Sequence, residues 1–114
     1  MLRDHHLGWA INGAAGRDQE ETPLLRLKLG RHYVIRIRND TGWDHPMHLH
    51  GYAFRLLTRG GRPVPHRPWS DTVIVGRRET IDIALFTDNP GMWLFQCQTL
   101  LHAEGGLRGY VQVS

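Results

Sequence analysis

Tyr33-Val34-Ile35-Arg36-Ile37-Arg38 places Tyr33, Ile35 and Ile37 at every second position and sends Arg36 and Arg38 to the alternate ones. Successive side chains of an extended chain point to opposite faces, so this is the pattern of a half-buried strand. The same rhythm runs through Leu25, Leu27 and Leu29, separated by Arg26 and Lys28, and through Ile81, Ile83 and Leu85. Further strand-like runs are Leu7–Ile11, Met47–Leu57, Thr72–Val75, Gly91–Gln98 and Gly109–Val113. Turn formers separate them: Asn39-Asp40-Thr41-Gly42, Arg59-Gly60-Gly61-Arg62 and Asp88-Asn89-Pro90-Gly91. About eight short strands with no long helical period predict an all-β, two-sheet antiparallel sandwich. Thr99–Glu104 has room for a turn or two of helix before Gly105-Gly106 stops it. Gly61–Ser70 holds three of the six prolines and predicts an irregular loop.

A chain of 114 residues can bury one core, and no internal repeat or linker divides it, so residues 1–114 read as a single domain. No apolar run approaches the roughly 18–20 residues that span a bilayer, and no charged-then-apolar leader opens the chain. The expectation is a chain made without an export signal or a mature form that has lost one, with no membrane partner. The formal charge of +3 comes from arginines spread over strands and turns, among them Arg36, Arg38, Arg55, Arg59, Arg62, Arg67, Arg77 and Arg78. A nucleic-acid binder would gather them with aromatics on one face, so a solvated basic surface is expected instead.

The chemistry concentrates in two places. Cys97 is the only cysteine, which excludes an internal disulfide and leaves a buried thiol, a reactive thiol or a metal ligand. His102 follows it by five positions and Leu107 by ten, while His45-Pro46-Met47-His48-Leu49-His50 lies some fifty residues upstream. One thiolate with two imidazoles is the donor set of an electron-transfer copper, and Cys97, His102 and His45 can supply it. The same set suits both oxidation states, so little rearrangement accompanies each electron.

On these residues the chain resembles the C-terminal cupredoxin domain of multicopper oxidases of the laccase and bilirubin oxidase kind. The resemblance also covers Gly8-Trp9-Ala10-Ile11-Asn12-Gly13, Leu29-Gly30-Arg31-His32-Tyr33-Val34, Asp71-Thr72-Val73 and Asp88-Asn89-Pro90-Gly91. It implies a Greek-key, plastocyanin-like sandwich and a parent that is periplasmic or secreted. It also implies one type 1 (blue) copper on His45, Cys97 and His102, with Leu107 at the axial place as a non-ligand. By the same resemblance His48 stands where a type 2 copper ligand does and His50 where a type 3 ligand does, which makes both candidates for residual metal binding.

The pattern breaks beside the cysteine. The resemblance places type 3 ligand histidines at both neighbours of Cys97, and here they are Gln96 and Gln98. A carboxamide has no basic ring nitrogen to offer copper. The family's trinuclear cluster draws further histidines from a second cupredoxin domain, and these 114 residues read as one. Loss of oxygen reduction is therefore expected, with no catalytic residue assigned. The double replacement suits a dissected, engineered domain, and a naturally degenerate copy would read the same. Leu107 in place of a thioether should raise the copper potential. Pro46, lacking an N–H for the cysteine sulfur, should lower it, and the leucine is expected to dominate.

Other residues have plainer readings. His5, His6, His32 and His66 are expected at the surface, and Met47 and Met92 in packing. Trp9, Trp69 and Trp93 read as core and rim aromatics. Asp71 either anchors the proline-rich loop or orients a ligand imidazole, with anchoring favoured. The leading function is a single-domain electron carrier that exchanges electrons with a redox partner or small reductant through an exposed edge of His102 or His45. An oxidase fragment with copper sites completed across subunits is the alternative. A third reading is a domain whose role is assembly, since former interdomain faces would favour a homo-oligomer.

Overall fold

The computed structural model describes residues 5–11, 25–97 and 108–114, excepting the side chains at positions 5, 11, 97 and 108. In chain order the strands are β1 (His5–Ile11), β2 (Leu25–Leu27), β3 (His32–Asn39), β4 (His45–Leu49), β5 (Phe54–Arg59) and β6 (Arg62–Pro63). They continue with β7 (Trp69–Ser70), β8 (Thr72–Val75), β9 (Thr80–Phe86), β10 (Gly91–Cys97) and β11 (Arg108–Val113). Every described element is a strand. Two sheets result, one ordered β1-β3-β9-β5-β6 with β7 also on β5, the other β2-β11-β10-β4-β8. The architecture is the two-sheet sandwich that the alternating runs predict, and it agrees with the cupredoxin-like fold that the resemblance implies.

Period two decides what enters the space between the sheets. Ile35 and Ile37 of β3 are buried while Arg36 and Arg38 are exposed. Ile81, Ile83 and Leu85 line the same side of β9, and Val73 and Val75 that of β8. Met47 and Leu49 of β4, Phe54 of β5, Phe95 of β10 and Val111 and Val113 of β11 complete one continuous core. Burying each such side chain stabilises the fold by roughly 1.5–3 kcal/mol relative to leaving it in water. Trp9 packs on the core edge, its ring 5.2 Å from that of Phe95.

Two features differ from the antiparallel sandwich expected. β1 runs parallel to β3, and β2 parallel to β11. Parallel neighbours need long connections, and both first strands come from the N-terminal part of the chain, so they close sheet edges formed by later segments. In addition, Met47–Leu57 is not one strand. β4 belongs to the second sheet and β5 to the first, and the chain crosses between them through a turn at His50–Gly51. Gly51 adopts φ +97°, a conformation that glycine enters without the Cβ clash other residues meet. The loop around residues 61–70 carries the two short strands β6 and β7, both paired with β5. The helical turn expected at Thr99–Glu104 lies outside the described residues.

Candidate metal centre

Strand parity sorts the histidines of β4. His45, Met47 and Leu49 are buried on the inward side, whereas Pro46 and His48 are half-buried on the outward side and His50 is exposed beyond the strand end. His45 is only 1 % exposed. Its own edge therefore does not reach solvent, contrary to the expected electron route through it, because the inward register of β4 places the ring inside the sandwich.

A compact polar network holds that ring. Asn39, the last residue of β3, is fully buried, and its Nδ2 donates to the carbonyls of Trp43, Val75 and Gly76 at 2.7, 3.1 and 3.0 Å. Its Oδ1 accepts from the backbone N–H of Thr41 at 2.9 Å and stands 2.7 Å from Thr41 Oγ1. Thr41 Oγ1 in turn lies 2.7 Å from His45 Nε2. Asn39 also donates its backbone N–H to Glu79 at 2.8 Å, and Arg77 donates its own to Asp44 Oδ1 at 2.8 Å. These bonds tie the loop before His45 to the far end of β8. From the sequence, Asn39-Asp40-Thr41-Gly42 reads as turn formers only; a polar pair four to six residues before a candidate ligand histidine was the signal available.

Cys97 closes β10, and its backbone takes the register position across from Met47. His102, Leu107 and Gln98 fall outside the described residues. Among the described residues no three His, Cys, Asp or Glu side chains stand together as a metal-holding group.

On the outward side, the rings of His48 and His50 sit 5.8 Å apart, edge to face. Gln96, half-buried, is the direct register partner of His48. Asp71 anchors the loop, the favoured role, and also stands beside the His48 imidazole. Its carbonyl accepts from Leu49 N–H at 2.9 Å, which anchors the loop, and its Oδ2 lies 3.4 Å from His48 Nε2. The hydrogen bond from Thr72 holds the Asp71 carboxyl below its ordinary value; burial opposes this, and His48 reinforces it.

The remaining side chains follow simpler rules. His6 and His66 are exposed, and the half-buried His32 ring packs 4.6 Å from Phe86. Met47 is fully buried, as expected, but Met92 is 47 % exposed because it shares the outward parity of Leu94 and Gln96 on β10. Trp69 lies at the rim, with Arg55 stacked 4.5 Å from its centroid. Arg36, Arg38, Arg59 and Arg77 pair with Asp82, Asp40, Glu79 and Asp44, consistent with a solvated surface of mixed charge. No helix among the described residues is long and apolar enough to cross a membrane.

Residues 2–114 match the family model described as multicopper oxidase. The chain is 33% identical over 99 residues to the multicopper oxidase MmcO of Mycobacterium tuberculosis, covering 87% of this chain and 18% of that protein. It is 33% identical over 106 residues to bilirubin oxidase of Albifimbria verrucaria, covering 84% of this chain and 18% of that one. Among solved structures, a multi-copper oxidase of Pseudomonas thermotolerans superimposes with a TM-score of 0.85 at 32% identity, over 97% of this chain and 30% of that chain. The chain thus spans under a fifth of the length of these curated relatives.

Proposed function

This chain belongs to the multicopper oxidase family, and on that premise we propose that it is a cupredoxin domain holding one type 1 copper for electron transfer. His45, Cys97 and His102 would hold the metal, with Leu107 near it as a non-ligand. When bound, copper in a thiolate–imidazole set supplies reversible one-electron chemistry. The observation that carries the reading is the buried His45 imidazole, fixed at Nε2 by Thr41 and set on the ladder whose neighbouring strand ends at Cys97.

The donor chemistry fits. A buried, hydrogen-bonded imidazole keeps its orientation through a change of metal charge, and the apolar wall of Met47, Leu49 and Phe95 excludes water from that side. His102 is left as the electron route to a redox partner or small reductant, since His45 lies inside the sandwich. Addition of copper(II), with electron paramagnetic resonance and metal analysis, tests the proposal. An intense blue colour, narrow hyperfine splitting and one copper per chain are expected, all lost in Cys97→Ser. A colourless protein, or a spectrum unchanged by that substitution, overturns it.

The His48–His50 pair supports a second reading, an oxidase unit whose oxygen-reducing centre is completed by another domain or another copy. Gln96 beside His48 weighs against it, because the amide withholds a basic nitrogen. Sustained dioxygen uptake with a phenolic reductant would establish the second reading; none is expected.

A further inference from the structure

We propose that the cavity between Trp69 and Phe86 is a binding site for a small quaternary ammonium cation, at the far end of the sandwich from the proposed metal centre. Neither its chemistry nor its test involves copper.

The cavity measures about 320 Å³ and is lined by Gly51, Tyr52, Ala53, Trp69, Phe86 and Asp88. Strand register builds it. β7 and β9 lie on either side of β5, with Trp69 and Ala84 both paired to Arg55, and Phe86 follows two residues after Ala84. The two aromatic walls thus flank the chain entering β5, where Ala53 is too small to fill the space. Trp69 is 56% and Phe86 37% exposed. Each ring is braced by a neighbour, the Arg55 guanidinium 4.5 Å from the Trp69 centroid and the His32 ring 4.6 Å from that of Phe86.

The residues around Asp88 are held on both sides. Thr87 is fully buried and its hydroxyl donates to the Lys28 carbonyl at 2.6 Å. The Asn89 N–H donates to the Tyr52 hydroxyl at 2.8 Å, and that hydroxyl donates back to the Asn89 carbonyl at 2.5 Å. The carboxylate therefore stands on a fixed stretch of backbone, and the Tyr52 hydroxyl is already engaged.

Charge decides the occupant. Asp88 is the one charged residue among the described residues that line the cavity, and it takes part in none of the described ion pairs. Aromatic faces carry a negative quadrupole and attract cations, as the stacked Arg55 demonstrates for Trp69; Arg55 itself does not line the cavity. An anion would be repelled. A primary ammonium brings three donors to a cavity whose described side chains offer acceptors only at Asp88. A quaternary ammonium has no donor to satisfy, and its methyl groups pack against the rings. The formal charge of +3 on the whole chain gives cations no general attraction that would imitate a site.

The site is separate from the candidate metal centre. Phe86 pairs with His32 at the start of β3, whereas Asn39 at the end of β3 belongs to the His45 network. Seven steps of roughly 3.3 Å place these ends about 23 Å apart.

Titration of the isotope-labelled chain with tetramethylammonium chloride, followed by NMR at constant ionic strength, tests the site; tert-butanol supplies the same shape without the charge. The Trp69 Nε1–H and Asp88 amide signals are expected to shift saturably with a millimolar Kd, and not to saturate with tert-butanol. Trp69→Ala should weaken binding by about 10-fold or more and Asp88→Asn by about 3- to 10-fold. Shifts that stay linear in tetramethylammonium, equal binding of tert-butanol, or an affinity unchanged by either substitution overturns the proposal. Should Trp69→Ala fail to fold, the tert-butanol comparison and Asp88→Asn still decide.

Discussion

His48 and Gln96 are direct register partners across β4 and β10, one residue short of the position that Cys97 shares with Met47. On β4 the inward Met47 and the outward His48 are a single step apart. Replacing Gln96 and Gln98 together by His would put imidazoles on both sides of the cysteine, one of them opposite His48. Metal analysis after dialysis should then give more copper per chain than the unsubstituted protein binds. An unchanged ratio would show that the outward histidines cannot form a site by this route.

Gly51 makes the turn that carries the chain from one sheet to the other. A Cβ there would stand 2.1 Å from Trp93 Cε3, in a backbone conformation of φ +97°. Trp93 cannot swing away freely, because its ring packs edge-on against Tyr52 and its Nε1 donates to Asn89 at 3.0 Å. Gly51→Ala should cost about 2–4 kcal/mol from strain and overpacking combined. Chemical denaturation followed by tryptophan fluorescence measures it, and a loss below a few tenths of a kcal/mol would contradict the packing described.

Asp82 is held below its ordinary value of 3.8, chiefly by the hydrogen bond from Arg36; burial opposes this, and Thr58 adds a second donor. A carboxyl depressed in the folded state contributes stability that is present above its unfolded value, near 4. That contribution is lost as the pH falls through the lower folded value. Arg36 is 66% exposed, so solvent screening keeps the ionic part small and the hydrogen bonds carry most of the effect. Asp82→Asn should destabilise the protein by about 1–3 kcal/mol at neutral pH. Its stability should also fall less than that of the unsubstituted protein between about pH 5 and 3. Parallel pH profiles would refute this assignment.

Leu107 tests the tuning expected from the sequence. At the proposed type 1 site, Leu107→Met would offer the metal a thioether that stabilises the oxidised ion, so the midpoint potential in protein-film voltammetry should fall. An unchanged or higher potential would mean that the missing N–H of Pro46, rather than the axial residue, dominates.

The strands themselves were legible in the sequence because period two is a local property. Ile35 and Ile37 alternate with arginines whatever lies across from them, and the shared face of His48 and His50 follows from the same alternation, whereas the burial of His45 ran against the exposed edge expected for it. The candidate copper donors were legible as residue types at a spacing, and so were the glutamines on either side of Cys97. The helical turn expected at Thr99–Glu104, and the side chains of Cys97, His102 and Leu107, lie where the structure gives no description.

Pairing was not legible, because the free energy that selects a strand's neighbours comes from residues distant in the chain. Leu25–Leu27 could not announce a parallel place beside β11, nor could the apolar run from Met47 to Leu57 reveal that it divides between two sheets at Gly51. The same holds for the relay behind His45. Asn39 reads as a turn residue until Val75 and Gly76, thirty-six and thirty-seven positions later, bring their carbonyls to its amide. Local alternation determined which residues are strands and which way they face; only the folded chain decided which of them meet.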